Sequence, residues 1–272
     1  MIKHLHPSRD SDWLEKALLS IRHLGIAVIE GALDTHACEA GIAALESARS
    51  AIAAEISEET LLENRRRGGN ELRLVLKHHP FFLELLENPV MLAALDATLG
   101  AKAVLRFQNG EILGCEATSL PPLKQTTYHM NTPRVVAGSL LSIDAAFLLT
   151  PFKLAVSPGT HQQSSPPPMN YLQWAEEIID APAGSILVFD STLWHREVTC
   201  QDAVQKSYIV EQQFTKSYIK PHFDFPRALG ETRMLALPER TRQLLGWHTR
   251  LPTSLAEFYL PDADRLYRAD QG

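Results

Sequence analysis

Apolar residues recur at helical spacing through the first part of the chain. Five of them predict a helix over about 10–23, namely Trp13, Leu14, Ala17, Leu18 and Ile21. Gly25 is placed to end that helix, and the run 26–29 predicts a short strand. Asp34 or Thr35 would cap a second helix that continues to about residue 56.

The polar segment 57–71 predicts an exposed loop that is placed to act as a lid. Pro80 and Pro89 each fit the first turn of a further helix, because proline lacks the N–H that is unpaired at that position. Gly100 is placed to end the second of these helices. The chain up to about residue 100 is therefore predicted to be mainly helical.

From residue 101 onward the pattern changes to short apolar runs between glycine and proline turns. A strand is predicted at 103–107, followed by a hairpin turn at Asn109-Gly110 and a return strand from Ile112. Further strands are predicted at 139–150, 184–189 and 205–215, and helices at 171–179 and 238–245. About six to eight strands in this arrangement favour a jelly roll or another double-sheet barrel.

We therefore expect a mainly β protein with flanking α-helices, in a single domain that spans residues 1–272. Its parts would be a helical N-terminal portion (about 10–100), a β core (about 101–220) and a C-terminal extension (about 221–272).

Composition excludes several classes of partner. The net charge is −6 without a balancing basic stripe, which argues against a nucleic-acid surface. No apolar run approaches ~18 residues, and the N-terminus lacks the apolar region of a signal peptide, so we expect no membrane contact. Three widely spaced cysteines without a CxxC pair are typical of a reduced compartment, and we expect a cytoplasmic protein.

The candidate chemistry lies in two distant segments. His129 and Asn131 are two residues apart, so on a strand their side chains point to the same face. A second strand can bring His195 to the same point. Two imidazoles and one oxygen ligand form the facial triad of non-heme Fe(II) oxygenases, although the oxygen ligand there is a carboxylate and here it is an amide.

The order of motifs resembles that of the phytanoyl-CoA dioxygenase family of Fe(II)/2-oxoglutarate-dependent oxygenases. Five segments carry the resemblance, namely 80–82 with 99–100, Tyr128–Arg134, Ser157–His161, Gly184–Ser191 with His195, and Phe214–Pro221. The resemblance implies a double-stranded β-helix (a cupin-like jelly roll). It also implies Fe(II) held by His129, Asn131 and His195, 2-oxoglutarate as cosubstrate, and a small organic molecule or natural-product intermediate as the substrate to be hydroxylated.

Three positions depart from the family pattern. Asn131 replaces the iron-binding Asp, and a neutral amide oxygen should bind a hard cation more weakly than a carboxylate. Lys206 replaces the Arg that binds 2-oxoglutarate, which keeps the positive charge but loses the bidentate fork. The segment 151–155 is shortened and altered. Lys206 and Tyr208 share one strand face, which is predicted to line the barrel interior, and Gln125 is a further candidate for cosubstrate binding.

Two alternatives stay open at this point. The chain could be a catalytically altered or inactive relative that binds a ligand or a partner subunit, as a homodimer or as a heteromer with a paralogue. It could also perform metal-independent acid–base chemistry with His129 or His195. Asp144, on the apolar strand, is a candidate carboxylate to compensate for Asn131.

Overall fold

The computed structural model of the protein describes residues 1–66, 71–113, 124–125, 140–163, 165, 167–198 and 206–265. The α-helices in these ranges are α1 (Trp13–Leu24), α2 (Thr35–Ile56), α3 (Glu58–Arg66), α4 (Phe81–Glu84), α5 (Pro89–Thr98), α6 (Met169–Trp174), α7 (Phe225–Leu229), α8 (Glu231–Leu235), α9 (Glu239–Leu244) and α10 (Leu255–Phe258). Short 3-10 turns occupy Val75–Lys77, Leu85–Glu87, Thr160–Gln162 and Asp262–Asp264.

The strands form two sheets. They are β1 (His4–Leu5), β2 (Ile26–Ile29), β3 (Glu71–Arg73), β4 (Val104–Leu113), β5 (Lys124–Gln125), β6 (Ser142–Leu148), β7 (Phe152–Val156), β8 (Glu177–Ala181), β9 (Ile186–Asp190), β10 (Trp194–Glu197) and β11 (Ser207–Thr215). The large sheet has the order β1-β2-β9-β6-β11-β4-β3, and the small sheet has the order β5-β10-β7-β8. From β4 to β11 the chain passes back and forth between the sheets, except at the antiparallel pair of β7 and β8 within the small sheet, and this is the connectivity of a jelly roll. The prediction of a mainly β, jelly-roll core with flanking helices is confirmed.

Each face of the large sheet has its own hydrophobic cluster. On the inner face, Leu148, Leu187 and Ile209 belong to one cluster with Phe152 and Leu154 of the small sheet. The outer face packs against helices. Its residues Ala145, Val188 and Val210 belong to one hydrophobic cluster with the helix residues Ile21, Leu45 and Leu95. Alternate residues of one strand therefore contact the other sheet or the helices.

Local signals fixed the ends of several predicted elements. Gly25 ends α1 with φ +90°, and its N–H bonds the carbonyls of Ser20 and Ile21. The carboxylate of Asp34 accepts a hydrogen bond from the Ala37 N–H and caps α2. The predicted strands at 26–29, 139–150, 184–189 and 205–215 correspond to β2, β6, β9 and β11.

The predicted loop at 57–71 is wrong in its first part, because α3 occupies Glu58–Arg66. The Ser57 hydroxyl accepts a hydrogen bond from the Thr60 N–H, which starts this helix. The predicted helix at 171–179 is also too long. It ends at Trp174, and β8 follows at Glu177–Ala181 with alternating exposure that fits a strand. The altered segment at 151–155 forms most of β7, a strand that the sequence reading missed.

The predicted hairpin turn at Asn109-Gly110 is wrong. β4 continues through both residues to Leu113, and Gly110 pairs with Val210 on one side and Leu72 on the other. A Cβ built on Gly110 would overlap Cδ2 of Leu45, a fully buried side chain of α2. Glycine is required here for the close approach of the helix to the sheet, and not for a turn.

No helix within the described ranges is long and apolar enough to cross a membrane.

We expect Gly110→Ala to lower the free energy of unfolding by about 1–3 kcal/mol, because the added methyl group overpacks a filled core. The measurement is chemical denaturation of the variant, in the wild-type background and in a Leu45→Ala background. The truncated leucine removes the overlap, so the second background should show a smaller cost. An equal cost in both would mean that Leu45 is not the cause.

Candidate active site

A cavity of about 170 Å³ lies between the two sheets. Its apolar lining includes Phe152 and Leu154 of the small sheet and Leu187, Phe189 and Ile209 of the large sheet. Its polar lining includes His195, Asn109 and four carboxylates, Glu71, Glu111, Glu197 and Glu211. An apolar cavity with a few converging polar groups is the usual form of a small-molecule site.

Cross-strand pairing arranges the inner face of the large sheet in three rows. The first row contains Glu71, Glu111, Ile209 and Leu148. The second contains Arg73, Asn109, Glu211, Ala146 and Leu187. The third contains Phe107, Gln213, Asp144 and Phe189. The ring of Phe189 meets that of His195 edge to face, with centroids 5.1 Å apart, so the third row lies level with this histidine.

His195 projects into the cavity from β10 with a fixed ring orientation. Its side chain is 8% exposed, and its Nδ1 lies 2.9 Å from the carbonyl oxygen of Leu193. Because a carbonyl oxygen only accepts, Nδ1 carries the proton, and Nε2 is the nitrogen with the lone pair in the neutral ring. A backbone carbonyl that holds one ring N–H is the usual support of a metal-binding histidine.

A tight turn carries the chain from the large sheet into β10. The carboxylate of Asp190 accepts hydrogen bonds from the Thr192 N–H at 2.8 Å and from the Thr192 hydroxyl at 2.6 Å. The Leu193 N–H bonds the Asp190 carbonyl at 2.9 Å, and the Trp194 N–H bonds the Thr160 hydroxyl at 3.2 Å. These bonds fix the carbonyl that orients His195.

The two faces of β10 have different tasks. His195 and Glu197 both line the cavity, as residues two apart on a strand must. Arg196 points the other way and donates two hydrogen bonds to Glu176, one of them from Nε at 2.7 Å. This bidentate pair is largely buried, so it anchors the strand that carries the histidine.

Buried polar side chains of the third row, Gln213 and Asp144, form a hydrogen-bonded cluster with Ser191. The amide nitrogen of Gln213 donates to Asp144 at 2.9 Å and to the Ser191 hydroxyl at 3.2 Å. Burial raises the pKa of Asp144 from 3.8 to about 7, although the hydrogen bonds from Ser191 and Gln213 oppose this shift. Burial also raises the pKa of Asp190.

Arg106 lies at a register shift between β4 and β11, and its side chain contacts this buried polar cluster. Gln213 pairs with Phe107 and Phe214 with Leu105, so Arg106 is an extra residue of β4. Its guanidinium is 3% exposed and donates to the Gln213 amide oxygen at 3.4 Å, and its Nε has no hydrogen-bond acceptor among the described residues. Burial lowers the pKa of this guanidinium.

The structure brings together only part of the predicted site. His129 and Asn131 lie outside the described residues. The backbone of Gln125 pairs with Trp194, so the strand that precedes His129 in the chain lies beside the strand of His195. Within the described residues, no three side chains of His, Cys, Asp or Glu are gathered closely enough to hold a metal ion. The role of Asp144 stays a prediction, because its proposed partner His129 lies outside those residues.

The prediction that Lys206 and Tyr208 line the barrel interior is wrong. The Lys206 ammonium lies 3.2 Å from the carboxylate of Glu46 on α2, and its side chain is 58% exposed. The Tyr208 hydroxyl donates to the same carboxylate at 2.7 Å. These residues share a strand face as predicted, but that face packs against the helices, and Ile209 and Glu211 face the cavity instead.

Sequence reasoning missed the acidic lining and Asn109. The signal was present, because Phe107, Asn109 and Glu111 alternate at the spacing of a strand, but the Asn-Gly pair was interpreted as a turn. His195 and Glu197 also have the same two-residue spacing as His129 and Asn131.

No family model matches the sequence. Two curated relatives align with nearly the whole chain, the uncharacterized proteins Rv1501 of Mycobacterium tuberculosis and Mb1539 of Mycobacterium bovis. Each is 37% identical over 270 residues, which cover 95% of this chain and 96% of the relative.

Several solved structures share the fold. The non-heme monooxygenase ThoJ, solved as a nickel complex, superposes with a TM-score of 0.60 at 14% identity, over 76% of this chain and 79% of ThoJ. HygX from Streptomyces hygroscopicus, solved with nickel and 2-oxoglutarate bound, gives 0.58 at 12% identity, over 78% and 90%. AviO1 from Streptomyces viridochromogenes gives 0.54 at 13% identity, over 76% and 96%.

The raised pKa of Asp144 predicts a specific pH dependence of stability. Between about pH 4 and pH 7 the folded protein binds more protons at this group than the unfolded chain, so its contribution to stability falls as the pH rises. If Asp144→Asn matches the wild type near pH 5, we expect it to exceed the wild type near pH 8 by roughly 2–3 kcal/mol, because about two of the three pH units between the unfolded and folded pKa lie above pH 5.

Denaturant unfolding at the two pH values measures this difference, and Asp262→Asn removes the same charge from an exposed site as a control. A constant offset between Asp144→Asn and the wild type across this range would contradict the assignment.

Proposed function

This chain belongs to the same protein family as the two mycobacterial proteins, and we propose that it is a non-heme iron oxygenase of a small organic molecule, with 2-oxoglutarate as cosubstrate. The fold supports the class, since ThoJ is named a non-heme monooxygenase and HygX was solved with iron and with nickel and 2-oxoglutarate. The order of sequence motifs supports it independently.

The observation that carries the proposal is the state of His195. Its Nδ1–H is held by the Leu193 carbonyl, which leaves Nε2 as the ring nitrogen that can act as a ligand, and the ring lines the cavity between the sheets. A histidine that only filled the core would not need a cavity beside it. The pairing of β5 with β10 supports the approach of the His129 segment to the same place.

These features fit a metal ion at His195, with His129 and Asn131 as the further ligands of the proposed site. Activation of dioxygen is the chemistry that bound Fe(II) supplies. The protein's own contribution is to orient the imidazole through Leu193 and to exclude water with the apolar walls that Phe152 and Phe189 provide.

The carboxylate of 2-oxoglutarate needs a cation on the inner face, and Lys206 does not supply one because it pairs with Glu46 outside the barrel. Arg106 is buried, and its guanidinium contacts Gln213, which lies in the row that also contains Phe189. Its Nε lacks an acceptor among the described residues, and a carboxylate would satisfy it. We assign the cosubstrate carboxylate to Arg106.

The metal site can be tested by anaerobic Fe(II) titration. We expect binding by the wild type, loss of binding by His195→Ala, and a gain of roughly tenfold in affinity for Asn131→Asp, because a carboxylate binds a hard cation better than an amide does. No uptake at millimolar Fe(II) by either the wild type or Asn131→Asp would refute the proposed metal site.

The cosubstrate site can be tested by succinate release at varied 2-oxoglutarate concentration. We expect Arg106→Met to raise the KM for 2-oxoglutarate by roughly tenfold or more, because a charge-assisted hydrogen bond is lost. Lys206→Met is the matched control, and its KM should be unchanged. Thermal unfolding of both variants checks that they are folded. The reverse pattern would return the carboxylate to Lys206.

A further inference from the structure

We propose that the cavity between the sheets binds a small neutral molecule with one apolar ring and a hydroxyl or amide N–H group, and that Asn109 selects for this donor group. As a statement about the substrate this rests on the proposed function, but the binding site itself is argued from the cavity alone.

The first observation is the buried amide of Asn109. This residue is 4% exposed and lines the cavity from β4. Its Oδ1 is buried and accepts no hydrogen bond from the described residues. A buried acceptor without a donor costs stability, and native structures keep few of them. A ligand that donates a hydrogen bond to this oxygen removes the cost.

The second observation is the charge on either side of this amide. In the second row, Asn109 lies between Arg73 of β3 and Glu211 of β11. The Arg73 guanidinium lies 3.8 Å from the carboxylate of Glu71, and Glu211 has an interaction partner of its own. Because charges of opposite sign flank Asn109, this position favours neither a cation nor an anion. A neutral donor such as a hydroxyl group fits it best.

The third observation is the floor of the cavity, which Ala146 forms in β6, the central strand of the large sheet. Ala146 is partly exposed, whereas every other residue of β6 is buried. Its neighbours in the row are Glu211 and Leu187, so a methyl group lies between two longer side chains. The result is a hollow in the sheet with an apolar wall beside it, where a hydrocarbon ring can lie.

The fourth observation is the size of the space. The cavity has a volume of about 170 Å³, and an apolar protein cavity of about 150 Å³ takes up benzene. Two strand spacings, about 9.5 Å, separate β4 of Asn109 from β6 of Ala146. A single six-membered ring over Ala146, with a short arm that ends in a donor group, therefore reaches the side chain of Asn109.

The same geometry gives the ligand a direction. Leu187 of β9 pairs with Ala146 on the side away from Asn109. Two residues further along β9, the ring of Phe189 contacts the ring of His195. A ligand whose donor group is bound by Asn109 therefore presents its hydrocarbon end toward the histidine.

Two probes of equal size separate the donor group from the ring, namely benzyl alcohol and ethylbenzene. They share one skeleton and differ in a hydroxyl group for a methyl group. Their binding to the full-length, metal-free protein is measured by ligand-observed NMR. The quantity compared is the ratio of the two dissociation constants, because the difference in hydration between the probes is the same for every variant and cancels.

Asn109→Leu tests the donor site, because leucine has nearly the shape of asparagine without its polar atoms. We expect the ratio to shift by about tenfold against benzyl alcohol, since the alcohol loses its acceptor and ethylbenzene no longer covers an amide without a partner. Asn170→Leu makes the same change at an exposed position on α6 and should leave the ratio unchanged. An unchanged ratio in Asn109→Leu would overturn the proposal.

Ala146→Ile tests the position of the ring by filling the hollow. Both probes should bind at least about tenfold more weakly, because the space for the ring is lost. Undiminished binding of both probes by this variant would place the ring elsewhere and refute the proposed site. Thermal unfolding checks that the variants are folded, and the two substitutions test the site independently of each other.

Benzylamine is the charged probe with the same skeleton. At neutral pH it should bind the wild type no more tightly than benzyl alcohol does, because an ammonium group gives up more hydration than a hydroxyl group. Tighter binding of benzylamine would overturn the assignment to a neutral ligand.

These outcomes are independent of the proposed oxygenase activity, since the probes are tested without metal, 2-oxoglutarate or turnover. A protein that shows the Asn109-dependent ratio but binds no Fe(II) loses the oxygenase assignment and keeps the binding site. A protein that takes up Fe(II) but shows an unchanged ratio in Asn109→Leu keeps the first and loses the second.

Discussion

The pairing of β4 with β11 at the centre of the large sheet is the constraint on which the rest of the structure depends. It runs from Ser207 opposite Leu113 to Thr215 opposite Val104, with one register shift. Because side chains alternate along each strand, this register sends Val210 and Phe214 to the helices and Ile209 and Glu211 to the cavity. A slip by one residue would exchange the two sets and leave neither the apolar outer face nor the polar inner face intact.

The register shift has a second effect. By adding Arg106 to β4, it places a guanidinium on the same side as Gln213 and Asp144. A buried cation then lies against the row that contains the amide of Gln213, the carboxyl group of Asp144 with its raised pKa, and Phe189. Burying these polar side chains together costs stability. Each loses its hydrogen bonds to water, and the bonds among the side chains replace them only in part. The position of this cluster beside the ring of His195 fits the cosubstrate-binding task proposed above.

The cavity combines two opposite electrostatic demands. The proposed cosubstrate is a dianion, whereas the described lining carries four carboxylates and one arginine. The lining arginine, Arg73, lies in the second row beside Asn109, whereas Arg106, the proposed contact of the cosubstrate, contacts Gln213 of the third row. The proposed anion contact is therefore separate from Glu71, Glu111 and Glu211, which lie in the first and second rows.

The sequence by itself determined the local elements and the class of fold. Helix caps such as Gly25 and Asp34, and the apolar runs of β6 and β9, act over a few residues, so their outcome could be predicted from neighbouring positions. The family resemblance also identified His195 as a candidate, and its burial and fixed ring agree with that interpretation.

Only the tertiary structure decided which face of β11 meets the cavity. Lys206 and Tyr208 share a face in any strand. In the structure both side chains contact the carboxylate of Glu46 on α2, so this face packs against the helices and not against the cavity. Asn109-Gly110 has the composition of a turn, yet the approach of Leu45 to the sheet makes glycine necessary within a strand. Both outcomes depend on contacts between residues distant in the chain, and a local pattern carries no information about such contacts.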